Sequence, residues 1–103
     1  MSVESDDSYV TQIEDVLGAY QASHPAARIK VRRQNSVSIR IRVVDPAFRG
    51  RGLAEREEEI WPLIEQLPPD NREEITMLLL LTPEEAANSL LNAEFEDPSR
   101  SHV

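Results

Sequence analysis

From Ser8 onward the hydrophobic positions change period several times, and each change marks an element. Tyr9, Val10, Ile13, Val16, Leu17 and Tyr20 recur at helical spacing on an arc of about 120°, with Gln12, Glu14, Asp15 and Gln21 opposite, which predicts an amphipathic helix. Asp6, Asp7 and Ser8 offer N-caps, and Pro25 disfavours the helical conformation at His24, closing the helix there. Period two then takes over. Ile29 and Val31 alternate with Arg28, Lys30 and Arg32, and after Arg33-Gln34-Asn35-Ser36 the alternation resumes as Val37, Ile39, Ile41 and Val43, giving two strands of a hairpin. Asp45-Pro46 ends the second strand, and Phe48 to Gly52 forms a glycine-bearing loop.

Leu53, Ile60, Leu63, Ile64 and Leu67 lie on one side of a second helix, in which Pro62 predicts a kink or loss of regularity around Glu58 to Pro62. Pro68-Pro69 ends it, Pro69 to Glu74 reads as a turn or a single helical turn, and Ile75 to Leu81 reads as a strand buried on both faces. Thr82-Pro83-Glu84-Glu85 is a capping-box helix start, followed by Ala86, Ala87, Leu90 and Leu91 as one packing face. The boundaries are a disordered leader over 1–7, a single domain over 8–93 and a flexible tail over 94–103. The fold class is α+β in two layers, in the order α-β-β-α-(short α)-β-α, with the helices on one face of a three-stranded mixed sheet. The continuously apolar third strand is expected to be the most protected.

The segment Phe48-x-Gly50-x-Gly52-x-Ala54-x-Arg56-x-x-x-Ile60-Trp61, set between a strand and a helix and followed by a strand and Thr82-Pro83-Glu84-Glu85, resembles the BolA family. That family reads Phe-x-Gly-x-Ser-x-Val-x-Arg-His-Arg-x-(Ile/Val)-Tyr in this place. Phe48, Gly50, Arg56 and Ile60 match at its spacings, Trp61 stands for the Tyr, and the similarity covers roughly residues 8–92. The resemblance implies a class II KH-like fold, and it implies a monothiol glutaredoxin partner sharing a [2Fe-2S] cluster. The family's cluster ligands are a His before the last strand and a His or Cys between the first two strands. Here the His position falls at about Glu74, the Arg33 to Ser36 loop has neither residue, and Arg-His-Arg is reduced to Arg56-Glu57-Glu58. A carboxylate is a hard ligand and a poor substitute for imidazole on such a cluster, so the scaffold is inferred without the cofactor.

A chain of 103 residues is one domain's worth, 29% of it charged, with a net charge of −8 that taken alone disfavours polyanionic partners. It has no cysteine and no apolar run of membrane-spanning length, and its start is acidic without a signal-like apolar stretch, so a cytoplasmic location is expected. Neither His24 nor His102 has convergent partners, the glutamate runs point in different directions, and no nucleophile motif is present, so enzyme activity is not expected. The net charge hides a polarity. Nine of the eleven Lys and Arg lie between Arg28 and Arg56 against only Asp45 and Glu55, so this segment is net +7, while the remainder, two cations against seventeen carboxylates, is net −15.

Lys30, Arg32, Arg40 and Arg42 are expected to share the open face of the sheet, with Arg49 and Arg51 extending from the loop; Phe48, Gly50, Arg56, Ile60 and Trp61 are assigned structural roles. Three readings of the cationic face stay open: a solvated face pairing with the protein's own acids, a surface for an acidic partner protein, and a nucleic-acid surface. No aromatic is interleaved with the arginines, and Leu67-Pro68-Pro69-Asp70 stands where KH-like proteins carry Gly-x-x-Gly, which weighs against nucleic acid. The expectation is a non-enzymatic binding or regulatory module working through the basic sheet face and the Phe48 to Gly52 loop.

Overall fold

Helix α1 (Ser8–Ser23) starts where the Asp7 carboxylate accepts a hydrogen bond from the Val10 N–H at 3.3 Å and stops where the His24 N–H donates to the Tyr20 carbonyl. The structure, a computed structural model, describes residues 7–96. Within the expected leader only Asp7 is described, as this cap; 1–6 and 97–103 lie outside the described residues. Strands β1 (Arg28–Asn35) and β2 (Ser38–Val44) form the antiparallel hairpin, turning at Ser36-Val37 rather than over Arg33 to Ser36. Asn35 Oδ1 accepts from the Val37 N–H at 2.9 Å, and a register shift between Arg33 and Asn35 absorbs the added length. A single 3₁₀ turn over Pro46–Phe48 and Gly50, at φ +78°, then redirect the chain into α2 (Leu53–Ile64). The helix runs unbroken through Pro62, because the proline sits in the last turn and deprives only the carbonyl of exposed Glu58 of its donor.

After α3 (Pro69–Glu73) comes β3 (Ile75–Leu81), which pairs in parallel with β2. The sheet order is β1-β2-β3. The most protected strand is therefore β2 and not β3: Ile39, Ile41 and Val43 are fully buried, whereas in β3 only Leu79 and Leu80 are buried. Continuous hydrophobicity in β3 reports cover on both faces rather than a central place, since one of its edges has no neighbouring strand. Amide exchange is accordingly expected to be slowest over Ile39 to Val43, and slower exchange across β3 than across β2 would contradict this order.

Helices α1 and α2 cover one face, joining Ile13, Leu17, Tyr20, Ile60 and Ile64 to Ile39, Ile41, Val43 and Leu80 in one core. The expected single C-terminal helix is two, α4 (Pro83–Asn88) and α5 (Leu90–Glu96), parted at Ser89 in an extended conformation. Ser89 acts as the cap of α5: its Oγ accepts from the Asn92 N–H at 3.1 Å and its carbonyl from the Ala93 N–H at 3.0 Å. Glu94 to Glu96, assigned above to the tail, thus belong to a helix. That helix lies across the opposite face of the sheet, since Phe95 meets the side chains of Arg32 and Arg42, which alternate with the core residues.

Candidate functional site

Strand pairing sets Lys30 directly opposite Arg42 and Arg32 directly opposite Arg40. Four cations thus stand in a two-by-two array, with like charges at the closest cross-strand positions, an arrangement that costs stability unless anions neutralise it. The alternation in sequence does bring these four residues together, but their face is not open. Phe95, 0% exposed, has the guanidinium carbons of Arg42 and Arg32 5.0 and 5.6 Å from its ring centre. Arg42 Nη1 donates to Asn92 Oδ1 at 3.0 Å and to the Glu96 carboxylate; Arg32 Nη1 donates to the Phe95 and Glu96 carbonyls. Arg42 holds the Glu96 carboxyl below the usual carboxylate range. Among the described residues Arg40 reaches only Glu94, at 3.5 Å, and its Nε and Nη1 and the Nε of Arg42 are buried without a hydrogen-bond partner. Lys30 remains exposed.

Asn92, Glu94, Phe95 and Glu96 are the members of this site that periodicity misses. Their one signal in the sequence is an aromatic set between two glutamates, in a chain with five aromatics, beyond a segment of opposite charge.

The loop arginines lie elsewhere. Arg49 makes a two-point pair with Glu84 (3.1 and 2.6 Å) on α4, and Arg51 lies 3.3 Å from Glu59 on α2. Phe48 is fully buried beneath the loop, while Trp61, 45% exposed, lines an open groove on the outer side of α2 with Ala54, Glu57 and Pro62, and so is not a core anchor. Arg56 is the hub of the remaining motif residues. It donates to the carbonyls of Arg51 (2.9 Å) and Leu80 (2.8 Å) and in two-point fashion to Glu85 (2.6 and 3.1 Å), and its guanidinium lies 5.5 Å from the Phe48 ring centre. Glu85 also closes the capping box of α4, accepting from the Thr82 N–H at 3.0 Å while its own N–H donates to Thr82 Oγ1 at 3.1 Å.

Arg56, with help from the Thr82 N–H, holds the Glu85 carboxyl down to about 2, and Arg33 lowers Asp7 in the same way. A carboxylate whose pKa is lower in the folded chain contributes stability that is complete above its unfolded value, 4.5 for Glu85, and is lost as the pH falls through the folded value. Stability is therefore expected to be flat above about pH 5 and to fall between about pH 5 and 2. The Glu85→Gln variant should show a shallower fall in acid urea titrations, and an unchanged slope would contradict the assignment.

Glu74, at about the position where the BolA resemblance places a His ligand, is paired with Arg33, which opens the Arg33 to Ser36 segment where that resemblance places the other ligand. Arg33, at the end of β1, donates to Glu74 at 2.8 Å, and also to Asp7 (2.7 and 3.2 Å) and to the Asn35 and Ser36 carbonyls. A carboxylate neutralised by guanidinium is a poor ligand for an iron–sulfur cluster. Of the histidines, His24 stacks on Tyr20 with ring centres 3.9 Å apart and lies 3.9 Å from Glu59, while His102 is outside the described residues. No group of three or more metal-ligating side chains occurs among the described residues, and no described helix is long and apolar enough to cross a membrane. Co-expression with a monothiol glutaredoxin is expected to give no visible absorbance from this chain's complex; a coloured complex lost in Glu74→Ala would overturn that reading.

No family model matches the chain, and no curated protein matches it. Among solved structures it is similar to BolA1 from Arabidopsis thaliana, with a TM-score of 0.49 and 14% identity over 75% of this chain and 94% of that one.

Proposed function

We propose that this chain is a cytoplasmic, non-enzymatic, BolA-like binding module whose arginine-bearing sheet face takes an acidic segment of a partner protein. The observation that carries the proposal is the in-register pairing of Lys30 with Arg42 and of Arg32 with Arg40. Four like charges set across from one another cost stability unless anions answer them, and among the described residues α5 brings only Glu94 and Glu96, so the array has charge to spare for the carboxylates of a partner. The array lies among half-buried side chains, where a charge-assisted hydrogen bond is worth more than on an open surface. Arg49 and Arg51, engaged by α4 and α2, are left as braces of the loop rather than part of the surface.

The test is a titration of the intact chain with a fluorescent Glu/Asp dodecapeptide and, separately, with a twelve-nucleotide RNA. The peptide is expected to bind at low salt, to weaken as salt rises, and to be lost in Arg40→Ala/Arg42→Ala. Binding of the RNA alone, with the same dependence on these arginines, would replace this reading by the nucleic-acid one. Binding of neither would leave the face a purely structural feature and overturn both.

A further inference from the structure

We infer that α5 is a displaceable cover of the arginine face, occupying it in place of a partner segment that ends a helix with an aromatic residue set between two carboxylates. This rests on the reading of that face as a binding surface and specifies both its ligand and its control.

The chemistry of the ligand is read from what α5 presents. Arg32 is met by the backbone carbonyls of Phe95 and Glu96, in the last turn of α5, which is the negative end of a helix dipole. Arg42 is met by a carboxylate and an amide oxygen one turn apart, from Glu96 and Asn92. The buried ring of Phe95 lies within cation–π reach of both guanidinium groups. An acidic coil without an aromatic would leave the ring's place wet, and a basic or neutral helix would leave the array unneutralised.

Three observations make α5 a cover that can leave. It is seven residues long, shorter than a helix that persists in water by itself, and its first residue, Leu90, is 88% exposed. It is joined to α4 through Ser89 alone, whose backbone is extended. It also serves the face incompletely. Three guanidinium N–H positions on Arg40 and Arg42 are buried without partners among the described residues, only Glu94 and Glu96 oppose the four cations, and a cleft of about 340 Å³ remains between Arg28, Arg42, Ala86, Asn92 and Glu96. A partner bearing the same aromatic with more carboxylates gains what α5 leaves unmet, whereas α5 gains from its tether. Occupation by α5 therefore lowers the apparent affinity for any partner by the fraction of time the face is covered.

The experiment uses a fluorescein-labelled peptide with the sequence of Ser89 to Glu96 as probe, titrated with the full-length chain and its variants, each checked for native amide dispersion. Phe95→Ala, which empties the ring's place, is expected to bind the peptide at least tenfold more tightly than the parent chain, and Arg40→Ala/Arg42→Ala added to it is expected to abolish binding. Asn92→Ala, which removes the bonds to Arg42 and to the Ala86 carbonyl without opening the core, is expected to bind at least threefold more tightly and carries the test should Phe95→Ala not fold. Equal affinity in the parent and both α5 variants would overturn the cover while leaving the surface intact. No binding by any form, of this peptide or of the acidic dodecapeptide, would overturn the surface itself.

Discussion

Arg56→Ala is expected to destabilise the protein by roughly 2–4 kcal/mol, chiefly from backbone acceptors left without a donor at about 1–3 kcal/mol each, since the Glu85 partner is half exposed and the ion pair itself adds little. Arg56 is only 9% exposed, and four of its contacts end together: the carbonyls of Arg51 and Leu80, the Glu85 carboxylate and the face of Phe48. Alanine leaves the buried Leu80 carbonyl and the half-buried Arg51 carbonyl without this donor and a carboxylate without its counter-ion, and it removes a side chain of α2 that ties β3 to α4. For a domain of this size the midpoint of thermal unfolding should fall by on the order of 20 °C. Arg56→Lys keeps the charge but not the planar fork and should recover less than half of the loss. The Arg56→Ala and Glu85→Gln losses should also be far from additive, because both empty the same pair. A loss below about 1 kcal/mol for Arg56→Ala would show that water replaces the guanidinium at the carbonyls of Arg51 and Leu80.

The network around Arg56 explains why residues scattered from Phe48 to Glu85 read as one motif. Phe48 needs the turn that Gly50 allows, Arg56 needs the carbonyls that this turn and β3 expose, and Glu85 needs Thr82 to orient it. Each was visible in the sequence as a residue type at a spacing. What bound them together was not, because a guanidinium reaching from α2 to α4 leaves no periodic trace.

Much of the fold follows from local pattern for a comparable reason. The stripe from Tyr9 to Tyr20 and the alternation from Ile29 to Val43 repeat a period several times, and repetition makes a face legible. Two of the departures concern what repetition does not encode. The run Ile75 to Leu81 shows that both faces of β3 are covered but not that β2 lies in the centre, a matter of which strand receives the parallel crossover. The break at Ser89 and the return of α5 over the arginines rest on one cap, one aromatic and two glutamates within seven residues, too few for a period. The candidate site was thus half legible. Alternation placed Lys30, Arg32, Arg40 and Arg42 on one face, while pairing with the protein's own acids stayed one of three readings and nothing marked residues 92–96 as those acids.

Phe48→Ala is expected to cost roughly 4 kcal/mol, the range for truncating a fully buried phenylalanine, and it separates the role of the motif from that of the arginine face. The ring is 0% exposed and lies against Tyr20 at 6.2 Å between ring centres. Tyr20 in turn donates its hydroxyl to Asp45 at 2.5 Å, and burial, followed by that bond, raises the phenol well above its ordinary range. Asp45 spends its other oxygen on the Ala47 N–H at 2.9 Å, shaping the turn that carries Phe48. A cavity at Phe48 therefore loosens α1, the turn and Arg56 together, and Phe48→Leu, which refills most of the volume, should lose no more than about 1.5 kcal/mol. Neither variant touches the far side of the sheet. With each held below its own unfolding midpoint, affinity for the acidic peptide should stay within twofold of the parent, while Arg40→Ala/Arg42→Ala loses binding and leaves the Phe48 network unaltered. Stability and recognition are then carried by opposite faces of one three-stranded sheet, and a drop in affinity in folded Phe48→Leu would show instead that the loop and the arginine face act as a single surface.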